Sequence, residues 1–321
     1  FRAPKPSTNR RSGSGLGFTL GSMRFSYWAS TGQTWEQILD GAKHAEATGW
    51  HGLWIPDHFM PPADGYGPED HADADTEMGP ILEAWTVLAG LAHAVPRVRL
   101  GTMVSANTYR HPAVLANMAA TVDHIAGGRL VVGLGAGWQE NEHDHYGLDL
   151  GTLAERSDRL EEACEVLKML FSQGRTSFDG RYYQLDDAPM EPKPIQQLLP
   201  LMIGGGGEKR TLHTVARFAD EWNVWGHPHE LRQKIGVLER HCRDVGRDVG
   251  EIEKAAVGLL IFTDTKAETA ELRAGFGSRG GLVGTPTELR AAVAEYRDAG
   301  VDEIIMPGFA LPVAEGRNIL D

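Results

Sequence analysis

The strongest constraint on this chain is a regular alternation of short apolar runs with amphipathic helical stretches from Met23 onward. Runs with the length and β-branched content of buried strands fall at residues 24–28, 52–55, 98–103, 130–133, 201–203, 221–224, 255–263 and 303–306. The stretches between them carry helix start and stop signals. Thr34-Trp35-Glu36-Gln37 has the pattern of a capping box, with Ile38, Leu39, Ala42 and Ala45 on one face and Gly49 as the stop. Thr285-Pro286-Thr287-Glu288 repeats that pattern with proline at the first helical position, and Leu289, Ala292, Val293 and Tyr296 follow before Gly300. Leu153, Leu160, Cys164, Leu167 and Phe171 keep a helical period in another stretch.

Repeated strand–helix alternation implies parallel strands joined by right-handed crossovers. Eight repeats favour closure over an open sheet, so the expected fold is α/β, a single (β/α)8 TIM barrel over residues 23–321. The 321-residue length suits one barrel with insertions. Two insertions are expected. Residues 56–79 follow the second strand and belong on the catalytic face. Residues 175–200 precede the fifth strand and contain the hairpin-like Phe178-Asp179-Gly180-Arg181-Tyr182-Tyr183, then Pro192 and Pro194. The first 22 residues are rich in Ser, Gly, Pro, Arg and Lys and end Gly21-Ser22 ahead of Met23. With no apolar segment before a cleavage site they are no secretory signal, and they read as a leader or an added tail, a native basic arm being the alternative.

Composition narrows the partners. A hydrophobic fraction of 41% fills a sizeable core, yet no apolar run approaches the ~20 residues of a membrane helix. The formal net charge of −13, without a basic stripe, argues against nucleic acid and anionic membranes. Cys164 and Cys242 lie far apart inside predicted helices, which excludes a CxxC pair and a cysteine zinc site and suits a reducing cytoplasm.

Barrel enzymes place their chemistry just after strands. Asp57-His58 follows Leu53-Trp54-Ile55-Pro56 directly, and an imidazole beside a carboxylate there is a candidate general acid/base; a loop-capping pair is the alternative. Gly204, Gly205, Gly206 and Gly207 stand between a strand and a helix, where bare backbone amides can approach a phosphate, with Lys209 and Arg210 beside them; a plain flexible turn is the alternative. The spacing is not that of a nucleotide-hydrolase P-loop. In Gly133-Leu134-Gly135-Ala136-Gly137-Trp138 a tryptophan replaces the last glycine of the dinucleotide fingerprint, which counts against a doubly wound NAD dehydrogenase. Val104-Ser105-Ala106-Asn107 offers small polar groups to a ring system. The alternating His71, Asp73, Asp75 and Glu77, and His143 and His145 around Asp144, lack metal-site spacing and read as hydrated charges. Trp28, Trp54, Trp85, Trp222 and Trp225 are candidates for a pocket lining or for core.

Taken together, four segments resemble the luciferase-like monooxygenase superfamily. They are Leu53 to Phe59, Tyr109 to Ala116, Gly127 to Trp138, and Ile203 to Gly207 with Ala219-Asp220-Glu221-Trp222-Asn223. The resemblance implies a barrel with a cofactor phosphate near Gly204, Gly205, Gly206 and Gly207. It also implies a ring system against the ends of the second to fourth strands, at Asp57, Met103, Val104, Ser105, Asn107, Ala136 and Gly137. Many members carry a non-prolyl cis bulge after the third strand, which here falls near Met103-Val104. The Arg-His-Pro, Gly-Gly-Arg-Leu and Gly-Ala-Gly-Trp pieces are most similar to the branch using deazaflavin coenzyme F420, with FMN the alternative. The implied activity is hydride transfer between F420 and an unidentified small organic substrate, with His58 as acid/base, no metal, and a homodimeric assembly. The rivals are an FMN-dependent monooxygenase and a non-catalytic cofactor carrier.

Overall fold

The computed structural model of the protein describes residues 23–62, 79–276 and 281–308. The leader and the acidic part of the first insertion, with His71, Asp73, Asp75 and Glu77, lie outside the described residues.

Eight parallel staves close into a barrel. They are β1 (Arg24–Trp28), β2 (Gly52–Ile55), β3 (Arg99–Thr102) continued by β4 (Ser105–Ala106), β5 (Leu130–Gly135), β8 (Leu201–Gly204), β9 (Glu221–Trp225), β10 (Glu253–Val257) and β13 (Glu303–Pro307). The ring runs β3-β2-β1-β13-β10-β9-β8-β5 and closes because β5 pairs back to β3 through Leu100 and Gly101 opposite Leu130 and Val131. The helices around it include α1 (Trp35–Thr48), α2 (Ala84–Ala94), α3 (Pro112–Ala126), the short α4 (Glu140–Tyr146), α5 (Leu153–Ser172), α6 (Thr211–Phe218), α7 (Pro228–Asp244), α8 (Lys266–Phe276) and α9 (Pro286–Asp298). Both expected capping boxes form, at Thr34 with Gln37 and at Thr285 with Glu288, and α5 starts on a third at Thr152 with Glu155. The second insertion holds the expected hairpin, β6 (Arg175–Asp179) with β7 (Gln184–Pro189). No described helix is long and apolar enough to cross a membrane.

Side chains alternate across each stave and split the core in two. Tyr27, Leu53, Ile55, Leu100, Val132, Ile203 and Ile304 face the helices. Trp54, Met103, Val131, Met202, Ala255, Val257 and Ile305 fill the barrel's interior. Two sequence expectations need correction. The run at 98–103 breaks after Thr102, and the run at 255–263 is two strands, β10 and β11 (Leu259–Phe262). The second of these leaves the barrel to pair with β12 (Gly281–Gly284). A continuous apolar run does not show where a strand changes partner; Gly258 marks that point here.

The amino end of the barrel is closed by charge. Arg24, Arg99, Glu221, Glu253 and Glu303 are each the first residue of a stave. Arg24 holds Glu253 through two contacts of 3.0 and 2.8 Å, Arg99 pairs with Glu221, and the Trp54 indole donates to Glu303 at 3.4 Å. Burial pushes the Glu221 carboxyl up, Arg99 opposes this, and the Glu303 and Glu253 carboxylates add to it, leaving it at about 7. Burial likewise pushes the neighbouring His51 down.

A carboxyl raised from about 4.5 in the unfolded chain to about 7 in the fold stabilises the fold fully below the lower value and loses that contribution as pH rises through the upper one. Between pH 5 and 8 the protein is therefore expected to lose about 1–3 kcal/mol relative to Glu221→Gln, read from paired urea titrations. His51 is common to both proteins. A difference that does not change with pH contradicts this assignment.

Candidate active site at the carboxyl ends of the staves

The third stave is interrupted by a cis Met103–Val104 peptide, where the resemblance placed it. The Met103 amide still donates to the Ile55 carbonyl at 2.9 Å, and the Thr102 hydroxyl donates to the Gly133 carbonyl at 2.8 Å. The bulge pushes Val104 over neighbouring staves that carry no side chain there. A Cβ on Gly135 would lie 2.8 Å from a Val104 methyl, one on Gly204 would lie 2.9 Å from it, and one on Gly133 would collide with the Thr102 carbonyl. The glycines of β5 and the first glycine of the 204–207 run thus make room for Val104.

Next to the bulge, β2 ends and Asp57-His58 begins. Asp57 is buried, and both its carboxylate oxygens accept from Arg110, at 2.6 and 3.1 Å. Arg110 also donates to Glu83 at 2.6 Å. Burial alone would lower the Arg110 pKa, but these carboxylates outweigh it and hold the guanidinium above its ordinary value. Burial would raise Glu83, yet hydrogen bonds from Thr86 and Trp85 at the start of α2 hold it below the usual carboxylate range. Asp57 therefore anchors the strand end through charge-assisted bonds.

His58 is partly exposed and faces two groups that sequence reasoning missed. Its Nδ1 lies 2.8 Å from Oε1 of Glu142, a wholly buried carboxylate on α4. The Trp138 ring meets the imidazole edge-on at 5.5 Å, and Trp138 is 58% exposed. Glu142 lies 84 positions from His58, and an acidic residue early in a helix reads as dipole compensation, so only three-dimensional structure joins them.

The glycine run lies at the end of β8. Gly205 takes a φ of +123°, and its carbonyl accepts from the Trp222 indole at 2.8 Å. Lys234 of α7 donates to the Gly206 carbonyl at 2.8 Å, and no side chain caps the amino end of α6. A cationic side chain and an uncapped helix start beside side-chain-free backbone fit a phosphate, and the Val104 bulge beside small glycine faces fits a planar ring. These residues suit a flavin-type cofactor. Arg210 instead pairs with Asp158.

The other expected residues are distributed unevenly. Ser105 accepts from the Trp85 indole at 3.0 Å. Asn107 is tied at both ends, accepting from Tyr183 at 3.0 Å and donating to the Arg156 carbonyl at 3.3 Å. Gly137 turns the chain at a φ of +88°, following half-buried Ala136 and leading to Trp138. Trp54, Trp85 and Trp222 are core. Of the five tryptophans named as lining candidates, only Trp28 and Trp225 stand at the mouth, 6.1 Å apart. His143 bonds Thr108 and the Gln139 carbonyl, at 2.7 and 2.6 Å.

If Val104 requires the missing Cβ atoms, Gly135→Ala is expected to cost about 1–3 kcal/mol through overpacking. Val104→Ala in the same chain should recover most of that loss in thermal unfolding. Additive effects of the two substitutions contradict the steric coupling.

The chain is similar to known proteins in sequence and in fold. A family profile described as luciferase-like monooxygenase matches residues 19–280. An F420-dependent glucose-6-phosphate dehydrogenase of Kineococcus radiotolerans is 31% identical over 239 residues, 73% of this chain and 66% of that one. A pyrimidine monooxygenase of Allorhizobium ampelinum is 30% identical over 235 residues, 71% of this chain and 60% of that one. The solved structure of an F420-dependent secondary alcohol dehydrogenase, in complex with an F420-acetone adduct, aligns with a TM-score of 0.79 at 22% identity, covering 92% of this chain and 96% of that one. With the profile match spanning most of its length, this barrel belongs to the luciferase-like monooxygenase family of oxidoreductases.

Proposed function

We propose that the protein is an F420-dependent oxidoreductase that moves a hydride between the deazaflavin and a small organic substrate, such as an alcohol and its carbonyl partner. The observation that carries this reading is the imidazole of His58, held by Glu142 just past the end of β2, the stave whose Ile55 carbonyl is bonded to Met103 at the bulge. When bound, the deazaflavin supplies a two-electron hydride carrier. The chain's own residues do the rest. Gly204, Gly205, Gly206 and Gly207, with Lys234, hold the phosphate. Met103, Val104, Ala136 and Gly137 shape the ring's seat. Asp57, locked by Arg110, fixes the position from which His58 projects. His58 takes the hydroxyl proton of an alcohol on oxidation and returns it to the carbonyl oxygen on reduction. Trp28, Trp225 and Trp138 present apolar faces to the substrate. The F420-dependent relatives among both sequences and structures support this choice of cofactor.

The pyrimidine monooxygenase relative favours a second reading, an FMN-dependent monooxygenase on the same site. Separate titrations of F420 and FMN, followed by absorbance, distinguish them. F420 is expected to bind at micromolar concentration or tighter and FMN more weakly. The reverse order overturns the F420 reading. With F420 and a panel of short alcohols and ketones beginning with propan-2-ol and acetone, His58→Ala is expected to lose about 10²–10⁴-fold in kcat at unchanged cofactor affinity. Unchanged turnover removes His58 from the chemistry.

A further inference from the structure

Proton exchange at His58 needs one free imidazole nitrogen in a defined state, and the residues behind the ring determine that state. Glu142 has no solvent-exposed side-chain surface. Its Oε1 faces His58 Nδ1 at 2.8 Å and accepts from the Tyr109 hydroxyl, and its Oε2 accepts from the Phe59 amide at 2.9 Å. Both oxygens of Glu142 thus serve as acceptors, and a carboxylate in that role donates no hydrogen bond, so the hydrogen between Glu142 and His58 belongs to Nδ1. Nε2 of His58 meets no hydrogen-bonding group of the protein among the described residues.

The arrangement is built rather than incidental. Helix α4 grips the segment after His58 at two further points. Gln139, just ahead of the helix, donates to the Met60 carbonyl at 2.9 Å, and Asn141 donates to the Pro61 carbonyl at 2.9 Å. The helix is fixed in turn by His143, bonded to Thr108 and to the Gln139 carbonyl. The Phe59 amide bond to Glu142 ties the backbone next to the imidazole to the same carboxylate. Ring and main chain are thus set by one buried group.

We infer that Glu142 is a positioning residue that fixes His58 as the Nδ1–H tautomer and leaves Nε2 as the nitrogen that exchanges a proton with substrate. The inference rests on the proton role proposed for His58. On alcohol oxidation the Nε2 lone pair takes the hydroxyl proton as the hydride leaves carbon, and the imidazolium formed is balanced by the Glu142 carboxylate. On carbonyl reduction the same proton returns from Nε2 to the oxygen. A histidine's free nitrogen is set by the bond its other nitrogen makes, and the wrong tautomer removes the base without moving the ring.

Glu142→Gln tests this directly. The glutamine oxygen goes to the Phe59 amide, its NH2 faces Nδ1, and the hydrogen of the neutral ring moves to Nε2. Nitrogen-15 NMR of protein labelled at histidine, with His58→Ala assigning the signal, reads the tautomer without cofactor or substrate. The expected result is a protonated Nδ1 in the unmodified protein and a protonated Nε2 in E142Q. With F420 and the best alcohol of the panel, kcat for oxidation falls about 10²–10⁴-fold while KM changes little. A His58 ring that carries its hydrogen on Nε2 in the unmodified protein overturns the inference, and this reading does not depend on how the variant folds. A tautomer that is the same in both proteins overturns it too. A tautomer that switches while kcat is unchanged upholds the placement and overturns the proton role of His58 instead.

Discussion

Val104 fits at the carboxyl end of the barrel because the staves beneath it present glycine. Gly133, Gly135 and Gly204 lack the Cβ atoms that would meet either its methyl groups or the Thr102 carbonyl behind it. The ends of the neighbouring staves are fitted to this contact. The bulge interrupts the third stave between Thr102 and Ser105, and the end of β2 runs alongside it through the Met103–Ile55 bond. Lower down, Trp54 and its neighbours fill the interior, and the charged ring of Arg24, Arg99, Glu221, Glu253 and Glu303 closes the amino end. In barrels of this kind the amino end serves stability and the carboxyl end serves chemistry.

Two buried carboxylates divide the work at that end. Asp57 faces a guanidinium, an ion that keeps its charge, and the result is a rigid strand end. Glu142 faces an imidazole, and also a hydroxyl and a backbone amide. Each carboxylate has the hydrogen-bond donors that burial demands. They differ in the partner: Arg110 keeps its charge and holds the strand end, whereas His58 is the group proposed to exchange a proton with substrate.

The architecture was legible in the sequence because period and capping are local signals. Eight apolar runs and the capping boxes at Thr34 and Thr285 mark the staves and helices, with small errors at most ends and one larger one, the 255–263 run that the fold divides between β10 and β11. The site was half legible. Asp57-His58 and the glycine runs stand next to strands in the chain, so position alone flags them. Glu142 and Arg110 reach the site across 84 and 53 residues, and nothing local ties them to it. The Gly-Leu-Gly pattern of β5 signals backbone exposed to a close neighbour, and sequence cannot show that the neighbour is Val104. Likewise, tryptophans are equally core or lining by composition, and only the three-dimensional structure assigns Trp54 to the barrel interior and Trp85 of α2 and Trp222 of β9 to the layer between staves and helices.

The central claim is that a flavin-type cofactor sits on the Val104 bulge with His58 at its reactive face. A crystal structure of the protein soaked with F420 tests it most directly. Ring density is expected against Val104 and phosphate density at the 204–207 glycines, with Nε2 of His58 open to the ring's outer face. Cofactor density away from Val104, or His58 Nε2 turned into the protein with the cofactor bound, contradicts it.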